Sequence, residues 1–173
     1  MAPPTLLSIL DRIGLLIGGS QPDPTGSPHF YSGVQVGDST GVAGIQGAYS
    51  IPPETLPDPP VVLMWPASFE AMGPAHAGQL MQGNEDNQDD ITIWVLLWRS
   101  DLPTQYALMV PYRDSIPALF RQHMQLNGLV NIDAFIIHGH TGRLLHENVE
   151  YLGWEFTLRI RQLYSVTYAD PGP

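Results

Sequence analysis

Lysine and cysteine are both missing from this 173-residue chain, and only 14% of its side chains are charged. Without cysteine there is no thiol nucleophile, no disulfide framework and no thiolate metal site. Without lysine there is no phosphate-gripping P-loop and no Schiff-base amine. All seven basic residues are arginine, against 17 acidic ones, for a formal net charge of -10. So acidic a chain lacks the basic face with which a free-standing duplex-DNA binder neutralises phosphates. Long apolar runs are also missing: the longest, such as Val61–Ala67, have strand length, well short of the ~18 residues of a membrane span. Met1-Ala2-Pro3-Pro4 does not open a secretory signal, so a soluble protein made in the cytoplasm is expected.

Several segments carry clear patterns. Leu6, Ile9, Leu10, Ile13, Leu16 and Ile17 recur at helical spacing, and Gly18-Gly19 ends the run. Residues 18–44 are rich in Gly, Pro, Ser, Asp and Thr around the island Phe30–Val36, which suggests an extended loop insertion holding a short hairpin. Val61–Pro66 and Ile91–Trp98 are apolar on both parities, the pattern of strands covered on both sides. Residues 67–90 between them read as a long polar loop ending in the solvated run Glu85–Asp90. Pro103, Pro111 and Pro117 argue against one unbroken helix over 102–126 and favour a start at Asp114. Val130–Ile136 alternates as a strand, with Gly139–Gly142 as the following turn. The last alternation runs from Leu152 to Ile160 and on weakly to Tyr168. So long a strand is expected to project beyond its own sheet, where it pairs with another chain or needs protection. The expectation is one domain over 1–173, of α+β class: a mostly antiparallel four- to five-stranded sheet covered by one or two helices, with long loops.

Each chemical motif has a competing plain explanation. Gly37-Asp38-Ser39-Thr40-Gly41 matches the G-x-S-x-G elbow of serine hydrolases, but the glycines of 41–47 leave no helix after Ser39, and no partner histidine is marked. A Gly-rich turn explains it better. His138 and His140, with His146 and Glu147 near, hint at a metal site; strand-end histidines beside a glycine turn are the simpler account. The Glu85–Asp90 run lacks the glycine and final glutamate of a calcium loop. Trp65, Trp94, Trp98 and Trp154 all fall on strand segments as core or sheet-face residues. No catalytic residue, cofactor or metal is therefore expected, and the reading is of an assembly subunit rather than an enzyme.

A resemblance sharpens this. The ordered segments Leu6–Ile13, Leu56-Pro57-Asp58-Pro59-Pro60-Val61-Val62-Leu63, Ile91–Val95, Tyr112-Arg113-Asp114-Ser115-Ile116, Leu126-Asn127-Gly128-Leu129-Val130 and Tyr151–Ile160 resemble the tail terminator (tail completion) proteins of long-tailed bacteriophages. The likeness covers most of 45–168 and rests on pattern; the 18–44 stretch is longer than the family pattern. It implies a homo-oligomeric ring, a hexamer in the family, assembled in the host cytoplasm and built into the virion. Its partners would be the tail tube protein on one side and a neck or head-completion protein on the other. DNA would pass through the lumen without specific binding, and no membrane is involved. The nearest alternative is another head–tail joining protein of the neck or stopper kind; a small serine hydrolase using Ser39 is the alternative from another class. Glu85, Asp86, Asp89 and Asp90, with Arg159, Arg161 and Tyr164 on the final strand, are the expected subunit or neighbour contacts.

Overall fold

The computed structural model describes residues 4–18, 21–22, 30–32, 44–53, 56, 59–72, 82–97, 101–126, 129 and 131–167, with backbone alone at 21–22, 30–32, 71–72, 82–86, 102 and 164–167. Helix α1 (Leu6–Gly18) is followed by short strands β1 (Gln21–Pro22), β2 (Phe30–Ser32) and β3 (Gly47–Tyr49). Long strands β4 (Val61–Met72) and β5 (Gln82–Leu97) come next, then helix α2 (Leu102–Gln122) and strands β6 (Ile132–His146) and β7 (Val149–Thr167). All seven strands form one sheet in the order β1-β2-β3-β4-β5-β7-β6. Only the β3–β4 pair is parallel. The fold is thus α+β with a mostly antiparallel sheet, whose body is four long strands extended at one edge by three short ones.

Both helices lie on the same face of the sheet. Ile9, Ile13 and Ile17 of α1 and Met109, Ile116 and Phe120 of α2 pack with Val62 and Met64, with Ile91, Ile93 and Val95, and with Phe156, Leu158 and Ile160. These strand residues alternate in sequence, as the pleat requires. On the opposite face a smaller core joins Tyr49, Val61, Leu63, Leu96, Leu144 and Tyr151. The complete burial of Val61–Met64 agrees with the two-sided apolar pattern.

Three sequence expectations are corrected. Residues 67–72 and 82–90 are strand, not polar loop: β4 pairs with β5 as far as Met72 opposite Asp86. A bulge between Pro66 and Ser68 shifts the register, and since β3 reaches only Leu63, Pro66 lies where β4 is an edge and a proline is tolerated. Helix α2 begins at Leu102, capped by the Asp101 carboxylate accepting from the Thr104 amide at 3.2 Å, and it contains both Pro111 and Pro117. Each internal proline costs roughly 3 kcal/mol. Burial of Met109, Tyr112, Ile116, Leu119 and Phe120 on one stripe returns about 1.5–3 kcal/mol per side chain, so packing outweighs the local cost.

Third, Gly139 and Gly142 lie inside β6, and the chain reverses at Glu147 and Asn148, both with positive φ (48° and 64°) as in a two-residue hairpin turn. Gly139 is needed for space: a Cβ there would stand 2.7 Å from the Phe156 ring. Gly153 is tighter, since a Cβ would lie 1.9 Å from the Val95 carbonyl oxygen on the adjoining strand. Gly153→Ala is therefore expected to force β5 and β7 apart and to lower unfolding free energy by on the order of 2–3 kcal/mol, measured by urea denaturation.

Candidate subunit interface

The acidic run and the arginine pair, far apart in sequence, meet in a single ladder. Register places Glu85 opposite Tyr164, Asp86 opposite Leu163, Asp89 opposite Ile160, Asp90 opposite Arg159 and Gln88 opposite Arg161. The final strand therefore does not project beyond its own sheet, because residues 163–167 pair with 82–86 of β5 in the same molecule. The reason is that β5 runs through its polar half as strand and matches β7 along its whole length. On the other side β6 accompanies β7 only as far as Ile132 opposite Gln162. The polar half of this ladder, residues 82–90 of β5 against 159–167 of β7 with β4 beyond Pro66 alongside, forms an extension whose outermost stretch, past Gln162, has no β6 beside it.

Asp90 and Arg159 hold the extension's outer face. The guanidinium Nε and Nη2 donate to the two carboxylate oxygens at 2.8 and 2.9 Å, the two-pronged geometry that makes such pairs specific. These bonds, foremost, hold the Asp90 carboxyl below the usual range, helped by the guanidinium charge and by a hydrogen bond from Ser68. On the other face Asp89 is 6% exposed, and its Oδ2 accepts from Gln162 Nε2 at 3.0 Å. Burial, above all, pushes this carboxyl up, and the neighbouring Asp90 charge adds to it.

Asp89 and Gln162, with Leu6, Pro66 and Phe69, line a groove of about 460 Å³ where the start of α1 meets the extension. Phe69 is 64% exposed there, and Leu163 on the opposite face is 53% exposed. At the far end of the sheet, beside the hairpin turn, Leu145 is 63% and Val149 43% exposed. Sequence reasoning missed these four apolar contacts: the alternation of 67–72 is broken by the bulge, and the hairpin turn lacks glycine.

Of the expected contact residues, Asp89, Asp90 and Arg159 are brought together; Arg161 is exposed and flanked in register by Gln88 and Asp133. Glu85, Asp86 and Tyr164 belong to the paired backbone, but their side chains lie outside the described residues. Ser39 and the whole 37–41 motif lie outside them as well. His138 and His140 stand side by side on the sheet face opposite the helices, while His146 is engaged elsewhere, its Nε2 3.3 Å from the Pro53 carbonyl. No helix among the described residues is long and apolar enough to cross a membrane.

The two adjacent aspartates impose opposite pH dependences. The lowered carboxyl of Asp90 stabilises the fold fully above the ordinary aspartate range, and that contribution disappears as pH falls through its lowered value. Asp89, raised, favours the fold when protonated and loses that contribution as pH climbs through its raised value. Asp90→Asn is expected to destabilise at neutral pH by an amount that shrinks on acidification. Asp89→Asn keeps the acceptor for Gln162 and is expected to stabilise at neutral pH. Chemical denaturation of both variants at neutral pH and at about pH 3 checks the pair of signs.

Compared with known proteins, the chain matches no family model and no curated protein.

Proposed function

We propose that the chain is a structural subunit of a head-to-tail ring, of the kind that ends a bacteriophage tail tube and joins it to the head-side neck. One observation carries the reading: four of the exposed apolar residues stand at the two ends of the long-stranded part of the sheet, on β4, β6 and β7. Phe69 and Leu163 mark one end, and Leu145 and Val149 the other. Fourteen residue steps separate Val149 from Leu163 along β7, on the order of 45 Å. Two unlike ends suit a heterologous contact, in which one end of each copy meets the other end of the next, and such contacts give a ring when the rotation between copies closes.

The extension is braced on both faces. It is hydrogen-bonded through three strands and locked on one face by Asp90–Arg159 and on the other by Asp89–Gln162. Contact between copies would then join preformed surfaces through side chains, without exchange of strands. The ordered likeness to tail terminators in sequence supports the same role, with tube protein and neck protein as the axial neighbours. A net charge of -10 suits a lumen that DNA traverses without being held.

Light scattering on the purified chain, alone and with its tube protein, together with negative-stain imaging, is expected to give a closed ring. A particle that stays monomeric in both conditions overturns the reading. A sharper test uses two double variants, Phe69→Glu with Leu163→Glu, and Leu145→Glu with Val149→Glu. Each alone should be monomeric, and an equal mixture should stop at dimers, because only one junction is intact. If one double variant still forms rings, the contact is not between these two ends.

A further inference from the structure

We infer that His138 and His140 form an open site for a divalent transition-metal ion of the zinc, nickel or copper class, on the sheet face opposite the helices. This inference is independent of ring assembly. In sequence the two histidines flank a glycine and read as residues of a turn. In the fold that glycine lies mid-strand, and β6 continues unbroken to His146. The bulge between Ile136 and His138 resets the register, so that His138 faces Thr157 and His140 faces Glu155 of β7. Both rings therefore leave the same side of the strand, and both residues are exposed.

Their spacing suits a chelate. An ion bound to one nitrogen of each imidazole at about 2.0–2.1 Å stands about 3.2 Å from each ring centre, and a tetrahedral angle then sets the centres about 5.2 Å apart. The observed separation is 5.5 Å, with the rings tilted by 37°. The two separations differ by a few tenths of an ångström.

Glu155 completes the neighbourhood. Its Oε2 lies 4.0 Å from His140 Nε2 and accepts from Trp94 Nε1 at 2.9 Å, which orients the carboxylate beside the imidazole. Trp94 is itself fixed by an edge-on contact with Trp65, ring centres 4.4 Å apart. Among the described residues no three histidine or acidic side chains already form a metal cage. The ion would accordingly be held by two imidazoles, with water in the other positions and the Glu155 carboxylate as the adjacent anion. Imidazole donors favour zinc, nickel and copper over magnesium or calcium. Such a site is exchangeable, and its free positions are open to a further donor.

The test uses the full chain without a histidine tag, stripped with chelator and titrated with zinc or nickel chloride by calorimetry. One ion per chain is expected, with affinity lowered about tenfold or more by either His138→Ala or His140→Ala and more modestly by Glu155→Gln. Nickel should also quench tryptophan fluorescence, with most of the effect lost in Trp94→Phe. In proton NMR of the unmodified chain, paramagnetic nickel should broaden the ring signals of His138 and His140 before those of His123 and His146. Absence of binding overturns the inference. So does binding that survives in the His138→Ala/His140→Ala double variant, or broadening that begins at other histidines.

Discussion

Backbone pairing between β5 and β7 runs without a break from Gln82 opposite Thr167 to Leu97 opposite Leu152, taking in all 16 residues of β5. The rest of the molecule is arranged along this ladder. Its apolar half, Ile91–Leu97 against Leu152–Leu158, carries the helices on one face and the smaller core on the other. Its polar half continues outward and sets the spacing between the two exposed ends. The approach is close enough at Gly153 that the Val95 carbonyl occupies the place where a side chain would begin.

The polar half is the less expected part. A run such as Asn84-Glu85-Asp86-Asn87-Gln88-Asp89-Asp90 has low strand propensity, and repulsion among its carboxylates works against extension into a sheet. Pairing with Arg159 and Gln162 changes the balance. One carboxylate gains a two-pronged cationic partner, and the next is buried with an amide donor. The two aspartates point to opposite faces because they are neighbours on a pleat, and so neighbours in sequence meet opposite environments. One carboxyl is pulled down while the other is pushed up.

This arrangement changes the physical basis on which an assembly role rests. A strand end left without partners would recruit a second chain through its backbone, a route shared with aggregation. Here β5 pairs one edge of that end, and side-chain chemistry is offered outward as well: an aromatic and an aliphatic residue at one end, two aliphatic residues beside the hairpin at the other. Contacts of that type depend on shape and apolar burial, and in the proposed ring they would allow each copy to fold before it associates. The open face between these ends holds the Trp65–Trp94–Glu155–His140 group, whose members come from four strands, β4, β5, β7 and β6. Its polar contacts are made within the sheet itself.

Much of the fold was legible in the order of the residues. The α1 stripe, the doubly covered starts of β4 and ends of β5, the alternation of β7 and the α+β class follow from periodicity, because apolar side chains must leave water on whichever face the backbone geometry presents them. What periodicity could not reveal depended on partners distant in the chain. Pro111 and Pro117 sit within one helix because the core rewards the stripe that surrounds them; the acidic run is a strand because β7 lies alongside; Gly139 marks the Phe156 ring instead of a turn. Asp90 and Arg159 were each expected at an interface, but that they pair with each other was invisible across 69 positions of sequence. Local pattern determined which segments seek burial and with what period. Only the tertiary structure decided which polar segments became strand and where the apolar ends lay exposed, because a hydrogen-bond ladder and a half-buried charge pair draw their energy from both partners at once.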